Sequence, residues 1–502
     1  MSERTCGVLL PLFSLPGKYG IGGLSKEAYA YIDYLKKAGQ TYWQILPVGP
    51  TSFGDSPYQS FSTFAGNPYF ISLQEWIRQG LLTKQECKEV DFGEDESLID
   101  YEKQYKNRYP LLQKAFARSS IKKDSRFRKF CKKNRKWLKD YCLFMAIKDS
   151  YDGKSFLEWE EGLRFHQKKA LKQFQKAHHE DILFHAFLQF TFFREWFRFK
   201  KYANKKGIRI IGDIPIYVSA DSADAWANPR LFQFDDERKP TRVAGCPPDG
   251  FSAEGQLWGN PLYDWDYHRA TGYEWWVDRM KSCLRMYDVV RIDHFRGFDA
   301  YYSIPYGAEN AIDGEWIEGP GAELFSVLES KLGEMDIIAE DLGLQTDSVR
   351  EMVAQTGYPN MKVLQFAFGS ASKKGRTPSE YLPFTYDTNC VVYTGTHDSE
   401  TMLGYLSHCS KAELKRIRRY LGLERDATLE AMVRGLIRIA FSSAADYCMI
   451  PLQDYLALGN EARTNEPATL GANWRWRATK EQLFSARLQK EMKRLARAYW
   501  RG

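Results

Sequence analysis

The stretch Met286-Tyr-Asp-Val-Val-Arg-Ile-Asp-His-Phe-Arg-Gly-Phe298 decides the fold. Val289 to Ile292 reads as a short strand buried on both faces, yet Arg291 lies inside the run and Asp293 and His294 follow at once. Desolvating such groups is costly unless they are paired, so a strand that ends this way needs partners from elsewhere in the chain.

Seven other segments share the design of an apolar, β-branched run followed by a polar cluster: Gly7 to Leu10, Tyr42 to Leu46, Ile208 to Ile211, Ile337 to Ala339, Val363 to Phe366, Val391 to Tyr393 and Tyr447 to Ile450. Helix-period stretches separate most of them. One runs from the capping Ser25 to Gly39, which suits a helix stop. Eight βα units imply a parallel sheet, and eight favour closure into a (β/α)8 TIM barrel over an open doubly wound sheet. No Gly-x-Gly-x-x-Gly turn follows the first run, which argues against a dinucleotide fold.

Residues 1–502 are therefore expected to form one barrel with two insertions. Residues 71–180, after the second strand, are charged and helix-patterned, and Lys122 to Lys148 predicts a single amphipathic helix with a solvated basic face. Residues 219–270, after the third strand, are rich in Pro, Gly, Asp and Trp without clear periodicity; long irregular loops on a barrel are usually functional. A basic helix from Lys480 to Trp500 ends the chain, with no C-terminal β-sandwich domain.

Bulk properties exclude several classes. A hydrophobic content of 44% over 502 residues can bury a large core and rules out disorder for the whole. The net charge of +7, from 71 basic and 64 acidic residues, gives little reason to expect nucleic acid. The nine cysteines are scattered and form no Cys-x-x-Cys pair, which fits reduced thiols and a cytoplasmic setting, or a plastid stroma for a plant or algal source. The start of the sequence, an apolar run broken by Pro11, reads as a strand rather than a signal peptide, and no run of eighteen apolar residues suggests a membrane span.

On a barrel, functional groups belong at the C-terminal ends of strands. Four acids fall there: Asp213, Asp293, Glu340 and Asp398. Any one of them could cap the next helix, but four would converge on one mouth. Side chains alternate along a strand, so Arg291 and Asp293 share a face, and the guanidinium favours an ionised Asp293. Glu340, among other carboxylates, is expected to hold its proton. That division of labour suits a retaining glycosidase, in which one carboxylate attacks and the other protonates the departing oxygen. A magnesium site of Asp213, Asp293 and Glu340, as in enolase-like lyases, is the rival reading; Arg291 already places a cation there.

Together the segments resemble glycoside hydrolase family 77, the amylomaltases or 4-α-glucanotransferases of the α-amylase clan. The resemblance covers nearly the whole chain and rests on Ser14-Leu-Pro-Gly17, Trp43-Gln-Ile-Leu-Pro-Val-Gly-Pro50, Gly54-Asp-Ser-Pro-Tyr-Gln-Ser60, Gly212-Asp-Ile-Pro-Ile-Tyr-Val218, Gly245-Cys-Pro-Pro-Asp249, Trp258-Gly-Asn-Pro-Leu-Tyr263, Arg291-Ile-Asp-His-Phe-Arg-Gly-Phe298, Ala339-Glu-Asp-Leu-Gly343 and Gly395-Thr-His-Asp398. It implies Asp293 as nucleophile, Glu340 as general acid/base and Asp398 as the carboxylate gripping the 2- and 3-hydroxyls of the transferred sugar. Arg291, His294, His397, Asp213 and Tyr58 are implied around the same sugar, with Tyr58 as a stacking platform.

Trp258 and Phe366 are candidates for the sugar groove, and Phe53 for a separate glucan contact. Two loops, 245–258 and 465–477 with Asn473, are implied to screen the site. In the second loop the family's usual Pro-Gly-Thr is Pro467-Ala-Thr469, and Ala468 tolerates fewer backbone conformations than glycine. The resemblance implies transfer of α-1,4-glucan segments, maltooligosaccharides or amylose, without a cofactor or metal. An α-amylase-like hydrolase and a non-catalytic glucan-binding protein are the alternatives.

Overall fold

The computed structural model describes residues 4–52, 54–248, 252–368 and 378–502. Eight strands form a closed barrel: β1 (Thr5–Leu9), β2 (Tyr42–Gln44), β3 (Arg209–Pro215), β4 (Val289–Asp293), β5 (Ile337–Ala339), β6 (Asn360–Val363), β7 (Cys390–Tyr393) and β8 (Tyr447–Pro451). Each pairs in parallel with its sequence neighbours in the ring, and β1 closes it against β8. The alternation within a strand builds two cores. Val289 of β4 joins Ile211, Ile338, Met361, Val391, Tyr393 and Met449 inside the ring. Val290 and Ile292, both fully buried, face the outer helices, where each contributes about 1.5–3 kcal/mol. Arg291 and Asp293 therefore point inward, toward the mouth.

All eight apolar runs became strands, with one displaced. The sixth strand ends at Val363, where the sequence suggested it begins, and Leu364–Ala367 forms a 3-10 turn. The continuous apolar run conceals the alternation of buried Met361 and Val363 with half-buried Lys362. In β3, a Cβ on Gly212 would lie 2.1 Å from the Tyr287 ring, so glycine is required for Tyr287 to pack beside the strand.

The closing pair joins distant parts of the chain. Thr5 is opposite Tyr447, and both its N–H and its hydroxyl donate to the carbonyl of Asp446, 441 residues away. Below them the fully buried Arg501 guanidinium donates to the carbonyls of Thr5, Phe441, Ser443 and Asp446.

Between β2 and β3 the chain is helical and ends in the long helix His179–Lys205, whose Phe199 meets Trp43 of β2 edge-on. The single helix expected over Lys122 to Lys148 is two, Ser125–Lys133 and Arg135–Ser150. Asn134 separates them: its side-chain amide donates to the carbonyl of Phe130, a local bond that competes with helix continuation. After β3, the stretch read as irregular contains strands Arg242–Cys246 and Gln256–Pro261. They complete a four-stranded antiparallel sheet with Ala300–Pro305 and Glu315–Glu318. Glycines 245 and 259 and the bulge between Val243 and Gly245 hide the alternation. The terminal basic stretch is likewise two helices, Lys480–Leu483 and Ala486–Ala498.

Among the described residues no helix is long and apolar enough to cross a membrane. Among the described residues none of the nine cysteines is joined in a disulfide.

Candidate active site

The strand mouth holds one ion-paired cluster at its centre. Arg291 Nη1 donates to both oxygens of Asp213 at 2.8 Å and to Asp293 Oδ1 at 3.0 Å. Asp213 is wholly buried and the Arg291 side chain is 3% exposed, whereas 27% of the Asp293 side chain meets solvent. The buried pair thus supports Asp293, the member of the cluster that reaches solvent. The register of β3 against β4 sets Asp213 opposite Arg291, and the polar residues in an apolar strand have the partners that the sequence required.

Burial opposes charge on Arg291, but the carboxylates of Asp213 and Asp293 overcome it and keep the guanidinium protonated well above its usual range. Burial also raises the Asp213 and Asp293 carboxyls, against the pull of Arg291. The sequence expectation that Arg291 alone sets Asp293 therefore omits burial and the nearby Asp398, both of which work the other way.

Glu340 follows β5 and is nearly buried. Its Oε2 accepts the His294 N–H at 2.6 Å and its Oε1 the Leu342 N–H at 2.8 Å, so both flanking backbones fix the carboxyl plane. These bonds and Arg291 favour the carboxylate, but burial, with Asp293 adding to it, pushes Glu340 up to about 8. Asp293 has a guanidinium in direct contact and Glu340 does not, so Asp293 ionises first and Glu340 keeps the proton.

Asp398 follows β7 and is more open, its side chain 42% exposed. Tyr58 and His397 link it to the central cluster. The Tyr58 hydroxyl donates to Asp213 Oδ2 at 2.9 Å and lies 2.8 Å from His397 Nε2, which is itself 3.3 Å from Asp398 Oδ2. The Tyr58 and His397 rings stack with centroids 5.2 Å apart and an interplanar angle of 10°, so His397 covers one face of the tyrosine read as a sugar platform. Burial pushes His397 down from its ordinary range.

His294 takes a left-handed backbone, φ 55°, and its ring meets Trp258 edge-on at 4.8 Å. Burial and Arg296 lower it to about 3, so the imidazole is neutral, and its buried Nε2 has no partner. Trp258 is braced by Gln59, whose amide donates to its carbonyl at 3.3 Å, and its indole N–H donates to Gln256 at 3.0 Å. Phe366 packs at the edge of the barrel-filling cluster with its ring edge-on to Tyr381. Phe53 and residues 249–251 of the first loop lie outside the described residues.

Asn473 bonds within its own loop: it accepts from the Glu466 N–H and donates to the Glu466 and Thr469 carbonyls. The site contacts from this loop come from residues that sequence reasoning passed over. Asn465 donates to Asp398 Oδ1 at 2.7 Å and Arg463 to the Asp398 carbonyl at 2.9 Å, while the Trp474 ring lies 5.7 Å from Tyr58. Nothing in their spacing marks them, because contact with Asp398 spans 67 residues.

Ala468 sits at φ 62°, where a Cβ costs about 1–2 kcal/mol. Ala468→Gly is expected to stabilise the protein by about 1 kcal/mol, read as a higher urea midpoint at unchanged m.

Residues 10–482 match the family model of glycoside hydrolase family 77, 4-alpha-glucanotransferase. The chain belongs to that family. Among its relatives, a 4-alpha-glucanotransferase of Clostridium butyricum is 47% identical over 490 residues, covering 97% of this chain and 99% of that protein. A chloroplastic/amyloplastic 4-alpha-glucanotransferase of Arabidopsis thaliana is 39% identical over 98% of this chain and 84% of its own length. The amylomaltase of Streptococcus agalactiae, solved in complex with acarbose, superposes with a TM-score of 0.95 at 38% identity, covering both chains completely. This family 77 member therefore shares its whole fold with that structure.

Proposed function

We propose that this chain is a 4-α-glucanotransferase that moves a segment of an α-1,4-glucan to the 4-hydroxyl of another glucan or glucose, by a retaining double displacement. The observation that carries the reading is the pairing of a partly exposed, Arg291-bound Asp293 with a proton-holding Glu340 at one strand mouth.

Asp293 attacks the anomeric carbon while Glu340 gives its proton to the departing glycosidic oxygen, leaving a glycosyl ester on Asp293 and a free 4-hydroxyl on the leaving chain. Glu340, now a carboxylate, takes the proton from the 4-hydroxyl of an acceptor. That oxygen attacks the anomeric carbon and Asp293 is released. Two inversions give net retention. Asp398, the most open of the three carboxylates, grips the hydroxyls of the transferred sugar. The orphaned Nε2 of neutral His294 offers a hydrogen bond to the same ring, and Trp258, Tyr58 and Phe366 supply apolar walls. Asp213 and Arg291 hold the nucleophile, and Asn473 shapes the rim loop. Each step closes on these residues and the two sugars, with no cofactor or metal. The ligand class is α-1,4-glucan, and cysteines outside any disulfide suit the cytoplasm or a plastid stroma.

Maltotriose is the deciding substrate. The expected products are glucose together with maltotetraose and longer chains; glucose and maltose alone would make the chain a hydrolase. Because turnover needs the protonated Glu340, kcat/KM should fall as pH rises through about 8. The acid limb, set by Asp293, should lie above the usual aspartate range, since burial raises that carboxyl. A pH profile of maltotriose disproportionation measures both limbs.

A further inference from the structure

A glycosyl ester can be resolved by a sugar hydroxyl or by water, and the structure ties the rim of the site to its third carboxylate through two side chains, Asn465 on the Asp398 carboxylate and Arg463 on its backbone carbonyl. The arch 465–473 is closed at its foot by the Trp474 N–H donating to the Thr464 carbonyl at 2.7 Å. It is stiffened inside by Asn473, which bridges Glu466 and Thr469. The foot is anchored to the barrel by Gln453, whose amide donates to the Ala462 carbonyl and the Thr464 hydroxyl. Arg463 lies between this foot and the chemistry. Its Nη2 donates to the Asp398 carbonyl at 2.9 Å, its Nε to the Asn465 carbonyl at 2.8 Å, and its Nη1 lies 3.6 Å from Glu466. The Asn465 N–H in turn donates to the His397 carbonyl. On the far side of the arch, Trp474 rests against Tyr58 and His397.

We infer that Arg463 is a specificity-determining positioning residue: its guanidinium clasps the arch to the backbone of Asp398, so that arch, carboxylate and Trp474 form one unit that favours a sugar acceptor over water. The inference rests on the proposed retaining transfer. A planar guanidinium reaches three groups at once; lysine supplies a single point of attachment, and alanine none. Without the clasp, only the Asn465 bonds to Asp398 Oδ1 and to the His397 carbonyl hold the arch to this carboxylate, and the Asp398 carbonyl loses its tie to the guanidinium. A small acceptor such as water needs no such alignment, whereas a sugar ring does.

The two fates are separated by counting reducing ends. Transfer releases glucose from maltotriose without changing their number, because the leaving glucose keeps the donor's own reducing end and the acceptor, bonded through its 4-hydroxyl, keeps its own; hydrolysis frees the anomeric carbon of the glycosyl fragment and adds one per event. Arg463→Ala and Arg463→Lys should raise reducing ends formed per glucose released by about tenfold and a few-fold, respectively. Guanidinium ion at millimolar concentration should restore the parental ratio in the alanine variant and leave the ratio of the parent unchanged. Thermal melts and the retention of Arg463→Lys activity guard against simple misfolding. A ratio unchanged in both variants, or an equal loss of transfer and hydrolysis with no guanidinium rescue, overturns the inference. A parent that makes no product longer than maltotriose instead overturns the transferase reading beneath it.

Discussion

Asp293→Asn loses turnover by on the order of 10⁵-fold while still binding glucan, because the amide keeps the shape of the carboxyl but cannot form the ester. The Asp213–Arg291 pair stays in place, since both its hydrogen bonds lie behind residue 293. The expected pattern is a collapse of kcat with maltotriose and an unchanged dissociation constant for acarbose by calorimetry. A second measurement tests the role itself: azide added to Asp293→Ala should yield an azide adduct of inverted configuration, because a small anion enters from the vacated face. Rates within tenfold of the parent would remove Asp293 from the chemistry.

Arg291→Met is expected to have the largest effect on stability, a loss of about 3–5 kcal/mol, because removing one partner leaves buried charge uncompensated. Asp213 is wholly buried and has Tyr58 as its remaining hydrogen-bond donor, and Asp293 loses its cation. Methionine fills the space beside Met361, so the cost is electrostatic rather than a cavity. Both aspartates already have folded-state pKa values raised by burial, and removal of Arg291 raises them further. A raised folded pKa gives stability that is fully present below the unfolded value of about 3.9 and is lost as pH rises through the folded value. The melting-temperature gap between Arg291→Met and the parent should therefore widen from pH 5 to pH 8. A gap that narrows with rising pH would mean that the aspartates are not the source of the loss.

The barrel was legible because all of its strands but the sixth are short runs buried on two faces, and such runs look alike wherever they occur. Asp213, Asp293, Glu340 and Asp398 were legible for a related reason: each falls within five residues of the end of an apolar run, and although any one could be a helix cap, four at strand ends point to one mouth. Where local chemistry competes with periodicity, the reading failed. Asn134 interrupts a helix whose apolar spacing continues across it, and the strands flanking residues 249–251 carry glycines where alternation would have shown. Arg463, Asn465 and Trp474 were invisible for another reason. They act through contacts that close over long stretches of chain, in a loop with no repeating pattern, and Asn473, the more conspicuous amide there, bonds to its own loop.

The β1–β8 seam sets a timetable for biosynthesis. Thr5 finds its partner at Asp446, and the strand between them and the exit of the ribosome is made at roughly 5–20 residues per second, so β1 waits on the order of half a minute for its neighbour. During that interval its outer row of amides and carbonyls is open to any other extended segment. The nascent protein is thus a ring with a gap until nearly all of its length has been made, which puts the hazard of aggregation in translation rather than in the finished molecule.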